Sequence, residues 1–122
     1  MEKTYVVVRN DIRPGLQIAQ ACHAAIEFTQ QHGVLSDNLV VLQVENEAEL
    51  RNLVHLLYAD EPHRRLTRFR EPDLGDQMTA IALDGSAGPI LSGLKLALRS
   101  RRSNSLDAGP SGSSSVASIA TA

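Results

Sequence analysis

An apolar strand, Tyr5-Val6-Val7-Val8, passes through a short Pro-Gly turn into a long stretch with helical patterning. That succession constrains the fold of this chain more than any other feature. Residues 4–9 read as a strand whose apolar centre needs cover on both faces of a sheet. Pro14 stands in the first turn of the following helix, where its missing N–H is no loss, and Gly33 follows His32 as a C-cap. A helix placed between two strands acts as a crossover. The next strand is therefore expected parallel to the first, with a right-handed connection.

The rest of the chain continues the pattern. Leu39-Val40-Val41-Leu42-Gln43-Val44 is a second apolar strand, and Asn46 with Glu49 three residues on forms a capping box for a second helix. Leu50, Leu53, Val54 and Leu57 make its apolar face, and Pro62 ends it. Arg64–Arg70 alternates weakly and reads as a strand whose charge marks an edge or a binding surface. Glu71–Asp76 is a turn, Met78–Leu83 is another strand, and Gly88-Pro89 opens a short last helix. The order predicts one α/β domain over residues 1–98, a mixed four-stranded sheet flanked by helices, with its last two strands antiparallel. Residues 99–122 are rich in Ser, Gly and Ala and lack periodicity. They read as a disordered tail whose removal after Arg102 leaves the melting temperature nearly unchanged.

At 122 residues the chain is large enough for a core without metals or disulfides. Aromatics are only 3 %, so that core must be built from Leu, Val, Ile and Ala. The single cysteine, Cys22, excludes an internal disulfide and suits a reducing compartment; on its helix it reads as a small packed hydrophobe. No apolar run approaches the ~20 residues that span a bilayer, and the N-terminus has no signal-peptide pattern. A cytoplasmic protein is expected. Residues 1–98 carry nine basic and thirteen acidic residues, a formal −4. This is a poor footprint for nucleic acid, so any such binding must use a local patch. The dense one is Arg64, Arg65, Arg68 and Arg70, and Arg99–Arg102 is a second.

At about 100° per residue, Ile18, Ala21, Cys22, Ala25 and Thr29 share one side of the first helix. Gln20, His23 and Glu27 share the other, within about 60° of one another. An imidazole, which titrates near neutral pH, thus has an amide one turn before it and a carboxylate one turn after it. Two readings fit: a solvated helix face, or a small polar site past a strand end, where open α/β sheets bind ligands. No P-loop, dinucleotide-binding glycine motif, zinc spacing or serine elbow is present. No cofactor and no metal are expected, and His32, His55 and His63 read as surface residues.

Three segments carry a resemblance: Val6-Val7-Val8-Arg9-Asn10-Asp11, Ile18-Ala19-Gln20-Ala21-Cys22-His23-Ala24-Ala25 and Ser92-Gly93-Leu94-Lys95-Leu96. Together they resemble the archaeal and eukaryotic type (type II) of peptidyl-tRNA hydrolase over roughly residues 4–98. The resemblance implies hydrolysis of the ester joining a peptide to the 3′ ribose of tRNA, or of a related aminoacyl or peptidyl ester. It also implies a mixed four-stranded sheet. Gln20 and His23 align with the family's helix motif, Thr79 with the threonine opening its last strand, and Glu71 or Asp73 with its loop carboxylate. Two departures stand out. Gly15-Leu16-Gln17 replaces a lysine-bearing loop, leaving Gln17 nearest to the family lysine, and Glu71-Pro72-Asp73-Leu74-Gly75-Asp76 replaces an Asp-Ala-Gly-Arg-Thr-Gln loop. The implied partner is tRNA, held by Arg64, Arg65, Arg68 and Arg70, and a second copy of the chain is a further candidate. The competing expectation is an inactive homologue that binds RNA or protein.

Overall fold

The structure, a computed structural model, describes residues 3–33 and 38–98. The expected tail and the Arg99–Arg102 cluster lie outside the described residues. The elements run β1 (Lys3–Arg9), α1 (Pro14–His32), β2 (Asn38–Val44), α2 (Glu47–Asp60), β3 (Leu66–Glu71), β4 (Gln77–Asp84), α3 (Gly88–Leu91) and β5 (Lys95–Leu96). The sheet order is β3-β4-β1-β2-β5. β1 and β2 are parallel, as a helical crossover requires, and β1–β4, β3–β4 and β2–β5 are antiparallel.

The sheet has five strands where the sequence pattern predicts four. The fifth pairs only Lys95 and Leu96, opposite Gln43 and Leu42. Two residues have no period of their own, so the ladder of β2 creates this strand rather than any local propensity. β3 also begins at Leu66 instead of Arg64, because Arg64 is drawn into the turn before it.

Strand alternation divides the core in two. Val7, Leu42, Val44, Ile81 and Leu83 face α2 and its Leu50, Leu53, Val54 and Leu57, the four residues expected from the helix pattern. The helix is capped by Asn46, whose side chain accepts from the Glu49 N–H at 2.9 Å. Val6, Val8, Ala80 and Ala82 face α1, where Ala24 and Phe28 meet them. This second layer is built mostly of alanine, so α1 approaches the sheet closely.

α1 is rolled away from its expected orientation. Gln17, Gln20, Ala24, Ala25 and Phe28 are buried, while Cys22 is exposed and Ile18 and Ile26 keep 50 % and 53 % of their surface. The helix carries two apolar stripes, and polar bonding selects between them. Gln20 and Gln31 both bond to sheet residues (Thr79, Glu71 and Thr67), which turns their side of the helix inward. A helix about 10 Å across covers only two or three strands spaced ~4.8 Å apart. Beyond α1, Val6, Val8, Leu39, Val41 and Ala97 floor an apolar groove of ≈ 330 Å³ walled by Ile18, Cys22 and Ile26.

Candidate functional site

The C-terminal end of β3 and the start of β4 meet the first turns of α1. Here the structure brings three of the sequence-selected residues into one hydrogen-bonded line. The hydroxyl of Thr79, 0 % exposed, donates to Oε1 of Gln20 at 2.6 Å. Nε2 of Gln20, itself 1 % exposed, donates to Oε1 of Glu71 at 2.8 Å. The other Glu71 oxygen accepts from the Asp73 N–H at 3.1 Å, and the Asp76 N–H returns to the Glu71 carbonyl at 2.9 Å. Gly75 and Asp76, both at positive φ, let the chain turn tightly enough for this (φ 66° and 63°).

A β-bulge aims Thr79 at the helix. Phe69 pairs with Ala80 and Arg70 with Met78, so Thr79 is the extra residue in β4. Without that extra residue, strict alternation would send the neighbour of Ala80 to the α2 side. With it, Thr79 and Ala80 both face α1. The bulge is invisible in the local sequence.

His23 stands beside this line, exposed, with its ring centroid 5.0 Å from that of Phe69 and tilted by 43°. The Glu71 carboxyl is held below the usual carboxylate range. The Gln20 hydrogen bond is the first cause, the Asp73 N–H the next, and the charge of nearby His23 contributes further. Of the two candidate carboxylates, Glu71 belongs to the network, whereas Asp73 enters through its backbone N–H and its side chain is exposed. Gln20 and Thr79 bond to each other and are closed off from solvent. Their bonds run to each other and to Glu71, which they hold in place.

The arginine patch does not survive as a unit. The Arg64 side chain is only 1 % exposed, and its guanidinium is taken up by Asp60 (2.6 Å), Ser86 (2.8 Å) and the Leu57 carbonyl (3.3 Å). It is a buried fastener between α2 and the end of β4, not a phosphate contact. Arg65 is over half exposed and lies 3.6 Å from Asp84. Arg68 and Arg70 are exposed but pair opposite Ile81 and Met78, which places them on the α2 face of the sheet. His23 and Glu71 occupy the other face.

Two further corrections concern α1. Gln17, the residue nearest to the family lysine, is not open to a ligand: it lies inside α1 at 5 % exposure, and its Nε2 donates to the carbonyls of Ile12 (2.7 Å) and Asn10 (3.4 Å), clamping the β1–α1 turn. Cys22 is not packed in the core but lines the open groove, on the flank of α1 about 100° round from His23. Sequence reasoning also missed Arg9. Buried at 8 %, it bonds both oxygens of Asp11 (2.6 and 2.9 Å) and Oε1 of Gln77 (2.7 Å), tying the end of β1 to the start of β4. Its only sequence signal is a charge at the end of an apolar strand. His55 and His63 are exposed as expected, whereas His32 is half-buried against Phe28.

Among the described residues, no group of three or more His, Cys, Asp or Glu side chains is placed to hold a metal. No helix there is long and apolar enough to cross a membrane. Compared with known proteins, the chain matches no family model and no curated protein sequence.

Proposed function

We propose that the chain hydrolyses the ester bond of a peptidyl-tRNA or a related aminoacyl or peptidyl ester, with His23 as general base. The observation that carries this reading is the Thr79–Gln20–Glu71 line, which ends in an anionic carboxylate beside an exposed imidazole. A buried amide and hydroxyl committed to fixing one surface carboxylate are more than a solvated helix face needs. The resemblance of the helix motif supplies the substrate class.

In this reaction His23 takes a proton from water as the oxygen attacks the ester carbonyl carbon. The tetrahedral intermediate then breaks its bond to the ribose 3′ oxygen, and the imidazolium returns the proton to that oxygen. The products are a free carboxylic acid and a tRNA with its 3′ hydroxyl. Glu71 stabilises the imidazolium formed between the two steps.

One observation favours the second reading, an inactive homologue that binds RNA or protein. The ionisable neighbours of His23 on its own face are the carboxylates Glu27 and Glu71, while Arg64, Arg68 and Arg70 are buried or turned to the other side. An acyl-transfer site lacking one oxyanion donor loses on the order of 10²–10³ in rate, so the enzyme reading is one of slow hydrolysis. Release of free tRNA from peptidyl-tRNA separates the two. The parent protein is expected to turn over, and His23→Ala to fall by at least ~10². A parent protein that releases nothing is a binding module.

A further inference from the structure

Three alternate residues of β3 grip α1 in succession. Thr67 donates its hydroxyl to Oε1 of Gln31 at 2.8 Å, Phe69 packs on His23, and Glu71 accepts from Gln20. The two outer grips are hydrogen bonds. The middle one is a ring contact, and it falls on His23, an exposed side chain with no hydrogen bond to the sheet to hold it among the three.

An exposed histidine on a helix ordinarily samples more than one χ1 and χ2 well, so its place beside Glu71 depends on something that holds the imidazole. Phe69 is half-buried and packed against the alanine-rich core, opposite Ala80 across the ladder, so its own ring is fixed from below. Its centroid lies 5.0 Å from that of His23 at a 43° tilt, within the range of favourable aromatic pairs. We propose that Phe69 is the positioning residue of this site: its ring holds the His23 imidazole in the one rotamer that stands beside Glu71. The inference rests on the reading of His23 as base, and it assigns to the sheet edge a task that the helix motif alone cannot perform. Gln20 fixes the carboxylate and Phe69 fixes the imidazole, so the pair is set before substrate arrives.

The test uses the full chain with Phe69→Leu and Phe69→Tyr. Side-chain couplings of His23, with His32, His55 and His63 as internal controls, report whether the imidazole occupies one χ1 rotamer. The parent and Phe69→Tyr are expected to show a single rotamer, and Phe69→Leu an averaged value at His23 alone. Hydrolysis by Phe69→Leu is expected to drop roughly 10-fold in kcat with KM nearly unchanged, and Phe69→Tyr to retain the parental rate. A His23 already averaged in the parent, or unchanged in Phe69→Leu, overturns the inference. A parent that hydrolyses no ester brings down the hydrolase reading instead, and the couplings still decide whether Phe69 fixes His23.

Discussion

Gln20 shows how far a residue's role depends on the face it is given. By helical spacing it groups with His23 and Glu27, yet it lies at the edge of that group and rolls inward to meet Thr79 and Glu71. The pair Gln20 and Thr79 is a closed exchange: removing the hydroxyl leaves a buried carbonyl oxygen without a donor. Thr79→Val keeps the shape of the side chain and is expected to cost about 1–3 kcal/mol, read as a lower denaturant midpoint at unchanged slope. A midpoint equal to the parent's would mean that the bond contributes nothing and that Glu71 is held by other means. His23 is the opposite case, because it is exposed and its replacement should stay within about 0.5 kcal/mol. Loss of activity in His23→Ala would therefore report chemistry and not unfolding.

At the scale of elements, the helices were legible where one stripe dominates and misread where two compete. α2 has a single apolar stripe, Leu50, Leu53, Val54 and Leu57, and buries it. α1 has one stripe of Ile18, Cys22 and Ile26 and another of Ala24 and Phe28, and hydrophobicity alone favours the first. Hydrogen bonds that tie Gln20 and Gln31 to β3 and β4 decide for the second, and those partners are 36 to 59 residues away in sequence. The same long range hides the bulge at Thr79 and the two-residue β5. An exposed Cys22 is expected to react with a maleimide in the native protein as fast as in denaturant, within roughly tenfold; protection of several orders would restore it to a packed position. β3 is the other element whose role changes. If RNA binds, Arg68 and Arg70 are the members of the predicted patch free to meet phosphates on its α2 face. Changing both to Glu is expected to weaken binding and to flatten its salt dependence by about two phosphate contacts. Affinity unmoved by that change places the RNA elsewhere.

At the scale of the whole domain, the described residues form a sheet with one face covered by α2 and α3 except where Arg68 and Arg70 stand exposed on β3, and the other half-covered by α1, and one group of polar ties gathers where β1 ends and β4 begins. Arg9 joins β1 to β4 through Asp11, Gln77 and the Met78 carbonyl, while Glu47 accepts the Met78 N–H at 2.9 Å. Asp11 is held below the usual carboxyl range, first by its hydrogen bond to Arg9, and Glu47 likewise by the Met78 N–H. A carboxyl whose folded pKa is depressed stabilises fully above its unfolded value, near ~4, and loses that contribution as pH falls through the folded one. Stability is therefore expected to decline below about pH 4, and Asp11→Asn to show a shallower decline there from a lower plateau. An identical acid limb in the variant would remove the Arg9–Asp11 tie from the account. The mixed α/β sheet and the parallel β1–β2 pair followed from periodicity and crossover rules. The ties at this end did not, since each joins residues that only the finished sheet brings together.

On the proposed reading, His23, set beside a Glu71 fixed by Gln20, takes a proton from water during ester hydrolysis. The decisive measurement is the pH dependence of tRNA release from peptidyl-tRNA, for the parent protein and His23→Ala in parallel. The parent rate is expected to rise with pH and then to level off, as catalysis by a general base requires. The rate of His23→Ala is expected to lie at least ~10² lower and to lack that rise. A variant that keeps the parental rate and the parental profile would contradict the account.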